Sequence, residues 1–295
     1  MNHPAELALH QYLENAVNGK TAMSSTTIQQ VAADVAEAMQ RQFGGERKRK
    51  DFRLRMSNVG RPTCQLWYDK NKPEKALPFP TTFIMNMMIG DIVEAVFKGL
   101  MTEAGINYEN SKEVSLDVGK SKISGTYDIV VNDAVDDIKS ASDWSYKNKF
   151  ESYDALAESD GFGYIGQLAG YAKASGKRAG GWWVVNKANG HFKYVPASGL
   201  DMNKEVKKIS NTVDVVKANK FKRCFEAEDE TFRGKPTGNK ILNTNCKFCS
   251  YRFDCWSNLV EKPAVKSQAK QPKIVSYVEL APEYDTTSFF SGRAS

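Results

Sequence analysis

The stretch GTYDIVVNDAVDDIKS, residues 125–140, decides the reading of this chain. Two short runs rich in Val and Ile flank Asn132-Asp133, a pair suited to the two-residue turn of a β-hairpin. With that turn, Val131 falls opposite Ala134, Val130 opposite Val135, Ile129 opposite Asp136 and Asp128 opposite Asp137. Two carboxylates facing each other at ~5 Å repel by about 3 kcal/mol at an effective dielectric of roughly 20. A divalent cation between them removes that cost, and hard carboxylate ligands favour Mg2+ or Mn2+ over zinc. Lys139, two residues beyond Asp137, points to the same face, where an ammonium can orient an attacking water or stabilise charge developing on a phosphate.

Outward from the hairpin the chain alternates helix and strand signals. Strands are expected at 113–118, 122–131 and 134–140. Upstream, Thr81-Thr82 are placed to cap a helix reaching about Glu103, which sets Gly90 and Glu94 one turn apart on one face. Earlier still, Ser24, Ser25, Thr26 and Thr27 precede Ile28, Val31, Val35, Ala38 and Met39 at helical spacing, a helix over 24–43. A basic stretch follows, Arg47-Lys48-Arg49-Lys50 through Arg53, Arg55 and Arg61, either a solvated linker or a phosphate-contacting arm. Downstream, a helix over 160–175 ends at Gly176 and places Gln167 and Tyr171 on one face. Residues 182–185 and 191–195 read as strands joined through Asn189-Gly190, and 201–224 as an exposed Lys-rich helix. After Glu261 the composition turns to Pro, Lys, Gln and Ser without periodicity, which predicts a mobile tail over 262–295.

A chain of 295 residues, 41% apolar, suits one elaborated domain better than two independent ones. Its net charge of +6, from 41 basic and 35 acidic residues, suits a polyanionic partner and an ordinary globular protein equally. Residues 1–20 carry Glu6 and Glu14 and no apolar run, unlike a secretory signal. The longest apolar stretch, 83–101, is broken by Asn86, Asp91, Glu94 and Lys98, so no membrane span is expected. Five cysteines without an export signal point to metal ligation or burial rather than disulfides, and to the cytoplasm. Cys246, Cys249 and Cys255 form a Cys-x2-Cys-x5-Cys run that can bring three thiolates to one centre, with a fourth from elsewhere. On spacing alone, zinc and an iron-sulfur cluster are both accommodated. Trp67, Tyr68, Phe248, Tyr251, Phe253 and Trp256 are placed to pack around such a centre or to stack on exposed bases.

Taken together, Glu94, the Gly125-to-Asp128 run, Asp137-Ile138-Lys139, Gln167-x3-Tyr171 and the cysteine run resemble the iron-sulfur nucleases of the RecB-like PD-(D/E)xK group, closest to the Cas4-like exonuclease family. The resemblance covers about residues 57 to 256. It implies an α/β, restriction-endonuclease-like core, a mixed central sheet flanked by helices, with a cysteine-clasped helical subdomain. The expected layout is an N-terminal helical region with basic linker over 1–56, the nuclease domain over 57–261 and the tail. The resemblance makes Asp128, Asp137, the Ile138 carbonyl and Glu94 the ligands of the hydrolytic metal, although many Cas4-like members carry His where this chain has Glu94. It makes Lys139 catalytic, and Gln167 and Tyr171 contacts to nucleic acid or props of the site. It also makes Cys64 the fourth ligand of a [4Fe-4S] cluster with Cys246, Cys249 and Cys255, leaving Cys224 outside the pattern. Joining Cys64 to Cys246 closes a loop of roughly 180 residues, worth on the order of 5 kcal/mol, so the cluster's expected role is structural.

The implied activity is metal-dependent DNA exonuclease action on single strands or resected ends, in phage recombination, DNA processing or CRISPR adaptation. A phage-encoded chain would work in the host cytoplasm. Ring-forming relatives bring a homo-oligomer into the expectation. Two alternatives stand beside it: a structure-specific endonuclease with the same site, and a catalytically silent DNA-binding subunit with a structural four-cysteine metal site.

Overall fold

A computed structural model describes residues 3–45 and 51–284. Arg47-Lys48-Arg49-Lys50 and the end of the expected tail, 285–295, lie outside the described residues. In chain order the elements are α1 (Pro4–Val17), α2 (Ser25–Phe43), α3 (Thr63–Asn71), α4 (Thr82–Glu103), β1 (Tyr108–Glu109), β2 (Lys112–Val118), β3 (Ser121–Tyr127), β4 (Ile129–Val131) and β5 (Ala134–Ala141). They continue as α5 (Tyr153–Glu158), α6 (Tyr164–Ser175), β6 (Arg178–Asn186), β7 (Phe192–Pro196), α7 (Met202–Ala218), β8 (Glu228–Phe232), β9 (Lys235–Ile241), α8 (Arg252–Cys255), β10 (Val260–Pro263) and β11 (Ile274–Glu279). Among the described residues no helix is long and apolar enough to cross a membrane. The chain divides into two compact units, one of residues 1–61 and 79–217, the other of 62–78 and 218–295.

The first unit is mixed α/β. Its main sheet runs β1-β4-β5-β6-β7, with β5 and β6 parallel and the other neighbours antiparallel. The expected hairpin register holds: Ile129 pairs with Asp136, Val130 with Val135 and Val131 with Ala134. Asn132 and Asp133 both take positive φ, 50° and 60°, as a tight hairpin turn of matching twist requires. The strand expected over 122–131 is instead two strands, because the chain breaks at Asp128 to pass from the β2-β3 ribbon into the main sheet.

Period-two alternation divides the core between the faces of this sheet. Ile129, Val131, Ile138 and Trp183 pack with Ala5 and Leu9 of α1 and Phe97 and Met101 of α4. Val130, Val135, Trp182 and Val184 face the other way, onto Leu168, Tyr171 and Ala172 of α6 and Ile209 and Val213 of α7. Trp182 and Trp183 are consecutive, both fully buried, and on opposite faces. Truncation of either to Ala would cost about 3–5 kcal/mol. The N-terminal region therefore does not stand apart as 1–56: α1 supplies apolar groups to one face of the core, and α2 packs against α4.

Helix boundaries follow local chemistry. Ser24 accepts the Thr27 N–H at 3.2 Å and opens α2 as expected. Thr81, by contrast, already has helical φ and ψ and makes no capping bond, so the threonine pair does not cap α4. The helix expected from 160 starts at Tyr164, after Asp160 has accepted the N–H groups of Tyr164 and Ile165 at 2.8 and 2.9 Å. Gly176, at φ 70°, ends it as expected. The Lys-rich helix stops at Ala218 rather than 224, because Asn219 takes the left-handed conformation at φ 54°.

The second unit corrects two expectations. It is not mainly helical: a four-stranded antiparallel sheet, β10-β11-β9-β8, accompanies α3 and the single turn of α8. Residues 262–284 are not a free tail, since β11 lies between β10 and β9. Tyr277 of β11 is fully buried, donates its hydroxyl to Glu230 at 2.9 Å and accepts from the Val265 N–H at 3.1 Å. The neighbouring unit break at 217–218 also divides the stretch expected to be one domain over 57–261.

Candidate functional site

Asp128 stands at the break between β3 and β4, where its Oδ2 accepts the Ile138 N–H at 2.8 Å. That bond ties the first carboxylate to the strand carrying Asp137 and Lys139. Burial, and then the charge of Asp137, push the Asp128 carboxyl up to about 7, against the opposing pull of Lys139 and the Ile138 N–H. Asp137 is itself buried, and Lys139 Nζ lies 2.6 Å from its Oδ2. Among the described residues that oxygen makes no hydrogen bond of good geometry. Burial alone would lower the Lys139 ammonium, but Asp137 and Asp128 outweigh it and hold the lysine charged.

Glu94 reaches this cluster from α4. Burial and then Asp128 raise its carboxyl, while Lys98 offsets part of the rise. Lys98 Nζ is 2.6 Å from Glu94 Oε1 and donates to Ser111 Oγ at 2.7 Å, and Ser111 in turn donates to the Asp128 carbonyl at 3.2 Å. This relay was not legible from the sequence, because Lys98 and Ser111 belong to no spaced motif. The Ile138 side chain goes into the core beside Phe97 and Trp183, leaving only its backbone toward the carboxylates.

On the opposite face, Gln167 Nε2 donates to the Tyr171 hydroxyl at 3.0 Å. Tyr171 is buried, which raises its phenol to about 12, with Asp137 and Asp128 adding to the rise. Its ring lies so close to Gly125 that a Cβ there would come within 2.8 Å of Tyr171 Cε1. Tyr171 is thus placed to prop the site, while Gln167 is half-buried. Tyr164, one turn N-terminal to Gln167, was not singled out in the sequence, yet Lys139 Nζ sits 5.3 Å from its ring centroid.

Asp136, next to Asp137, has a different part. It points to the other face, where it accepts from Gly181 N at 2.9 Å, Trp183 Nε1 at 3.0 Å and the Tyr194 hydroxyl at 2.9 Å. Burial lifts its carboxyl to about 7 in spite of these donors. It is a structural acid that stitches β5, β6 and β7 together.

Cys64, Cys224, Cys246, Cys249 and Cys255 all belong to the second unit and all are free thiols. Burial, followed by Cys249 and Cys255, raises Cys246 to about 11. Burial first, with Cys255 adding to it, raises Cys249. Cys224, set aside in the sequence as lying outside the pattern, accepts the Cys64 N–H on its sulfur at 3.1 Å and has Thr63 Oγ1 at 3.4 Å. Hydrogen bonding from Cys64 pulls its thiol below the usual range. Arg223 donates to the Cys255 carbonyl at 2.6 Å and lies over the Trp256 ring at 4.2 Å, fixing the last loop of the run.

Among the described residues no three His, Cys, Asp or Glu side chains are drawn into a closed cage. The donor chemistry nonetheless suits both expected groups. The first unit offers buried carboxylates, one with an oxygen lacking a proper hydrogen bond, fit for a hard divalent ion. The second offers neighbouring thiols, fit for iron-sulfur or zinc.

No family model matches the chain, and no curated protein matches it. Among solved structures, the crystal structure of SSO0001 aligns with 14% identity over 79% of this chain and 96% of that one, at a TM-score of 0.40, an overlap too loose to argue from.

Proposed function

We propose that this protein is a metal-dependent DNA nuclease of the RecB-like PD-(D/E)xK kind, closest to Cas4-like exonucleases, cutting phosphodiesters at single-stranded or resected ends. One observation carries the reading. Asp128 is tied through its Oδ2 to the Ile138 N–H of the strand that carries Asp137, and the Asp137 Oδ2, 2.6 Å from Lys139 Nζ, makes no hydrogen bond of good geometry, so two neighbouring carboxylates share one ammonium and leave negative charge that a divalent cation would balance.

In this reading Asp128, Asp137, Glu94 and the Ile138 backbone would hold Mg2+ or Mn2+, which would supply Lewis-acid polarisation of the phosphate and of an attacking water. Lys139, kept cationic by the two aspartates, orients the attacking water and offsets charge on the phosphoryl oxygens. Glu94, now paired with Lys98, would be one of the groups that hold the ion, and Lys98 also has Ser111 as a partner. Gln167 and Tyr171 hold the floor of the site through their shared hydrogen bond. In the second unit, Cys64, Cys246, Cys249 and Cys255 hold a [4Fe-4S] cluster whose role is structural, with zinc as the rival occupant.

The test is incubation of anaerobically purified protein with end-labelled linear and covalently closed single strands in Mg2+ or Mn2+. Cleavage of the linear strand alone supports an exonuclease, and cleavage of both supports the endonuclease alternative. Binding without cleavage in either metal overturns the nuclease reading in favour of a DNA-binding subunit.

A further inference from the structure

Beside the carboxylate cluster, residues 149–164 build a feature with no role in the hydrolytic step. Phe162 is 62% exposed. It lies nearly parallel to Tyr164, with ring centroids 5.7 Å apart and planes 17° from coplanar. Lys149 Nζ sits over both rings, 4.8 Å from Phe162 and 4.7 Å from Tyr164, while Lys139 Nζ sits over Tyr164 at 5.3 Å. The pair thus runs outward from the lysine that the nuclease reading makes catalytic.

Two further observations point to a ligand. Lys149 is only 8% exposed, yet among the described residues it makes no hydrogen bond and no ion pair. The carboxylate whose charge it feels, Asp160, uses its two oxygens on the N–H groups of Tyr164 and Ile165. A buried ammonium held only by aromatic faces lacks the anion that would balance it. The loop is also held firmly: Gly163 takes φ 77°, and a Cβ on it would come 2.5 Å from the Gly60 Cα. The platform is therefore set before any ligand arrives.

We propose that Phe162 and Tyr164 form a stacking platform for an unpaired DNA base next to the scissile phosphate, and that Lys149 receives the adjoining backbone phosphate. A ring stacked on Phe162 needs a base whose face is free, which a paired base within a duplex does not offer, so the platform selects single strands or frayed ends. This rests on the nuclease reading for the position of the scissile phosphate, though base stacking can be measured without any cleavage.

The experiment is fluorescence anisotropy of a labelled short oligothymidylate in EDTA, with wild type, Phe162→Ala, Phe162→Trp and Lys149→Gln. Phe162→Ala should weaken binding about tenfold, the loss of one stacked base, and Phe162→Trp should restore it. On a strand of abasic residues of equal length, wild type and Phe162→Ala should bind alike. Lys149→Gln should reduce the slope of log affinity against log salt by about 0.7, one phosphate on a single strand. If burial of Lys149 prevents that variant from folding, the exposed Phe162 still decides. Equal binding of oligothymidylate by wild type and Phe162→Ala, or an equal loss on the abasic strand, overturns the platform. Cleavage of the same strand by wild type in Mg2+ is scored separately. Binding through Phe162 without cutting keeps the platform and removes the nuclease, and cutting that ignores Phe162 does the reverse.

Discussion

Asp128→Asn should make the metal-free protein more stable at neutral pH while removing its activity. The Asp128 carboxyl is lifted from an ordinary value of about 4 to about 7, first by burial and then by Asp137. Taken whole, that displacement amounts to ~4 kcal/mol; partial solvent access to the carboxylate halves it to ~2 kcal/mol. The folded state binds this proton more tightly than the unfolded chain does. Its contribution is complete below pH ~4 and is lost as pH rises through about 7. Asparagine carries no charge at any pH and keeps an oxygen for the Ile138 N–H. The gain of the variant over wild type should thus be near zero at pH 4, grow between pH 4 and 7, and level off above. For a unit of this size ~2 kcal/mol corresponds to about 6 °C in Tm. Thermal melting of both proteins in chelator across this range reads it directly. Mn2+ at about a hundred times its Kd should then stabilise wild type by ~2.7 kcal/mol and leave the variant unmoved. An Asp128→Asn protein no more stable than wild type at pH 8, or one whose advantage persists at pH 4, would refute the account of a buried carboxylate strained by its neighbour.

The remaining predictions concern both units. Asp137→Ala or Lys139→Ala should abolish cleavage with folding and DNA binding largely retained, and full activity in either would dismiss the site. Protein prepared without oxygen should be brown with about four iron and four sulfide per chain, whereas colourless protein with one zinc favours the rival centre. Cys64→Ala should lose that iron and melt well below wild type. Cys224→Ser keeps an acceptor for the Cys64 N–H and should keep the iron, so its loss would exchange the fourth ligand. Gly125→Ala should cost about 1–3 kcal/mol by chemical denaturation, because its Cβ would press on Tyr171 and Met56.

What could be read beforehand was what neighbours in sequence determine. The hairpin register of 129–136 follows from two turn residues and the parity of the strands, so both were legible, as was the termination of α6 at Gly176. The tie between Asp128 and Ile138 is a tertiary consequence of a strand break that no local pattern announces. The Lys98–Ser111 relay joins α4 to the connection between β1 and β2, whose relative placement is set by packing. Strand β11 is not legible in the sequence because it is held by its neighbours β10 and β9, while the residues around it have the composition of a tail. Cys224 lies outside the linear cysteine motif, although the fold brings its sulfur to the Cys64 amide. Asp136 and Asp137 look interchangeable on paper, and only the face of the sheet separates a structural acid from a candidate ligand.

The second unit is assembled from 62–78 and 218–295, with most of the first unit threaded between them. During synthesis, Tyr68 emerges about 180 residues before Tyr251, whose ring stacks on it at 4.9 Å. Until then Tyr68 lacks the ring that stacks on it, and the 62–78 segment is open to proteases and to other chains. The thiol nearest the N-terminus waits through the same interval. Loading of any centre shared by Cys64 and the Cys246–Cys255 run is consequently a late event, and a chain cut short after α7 would present a finished first unit attached to an orphaned segment.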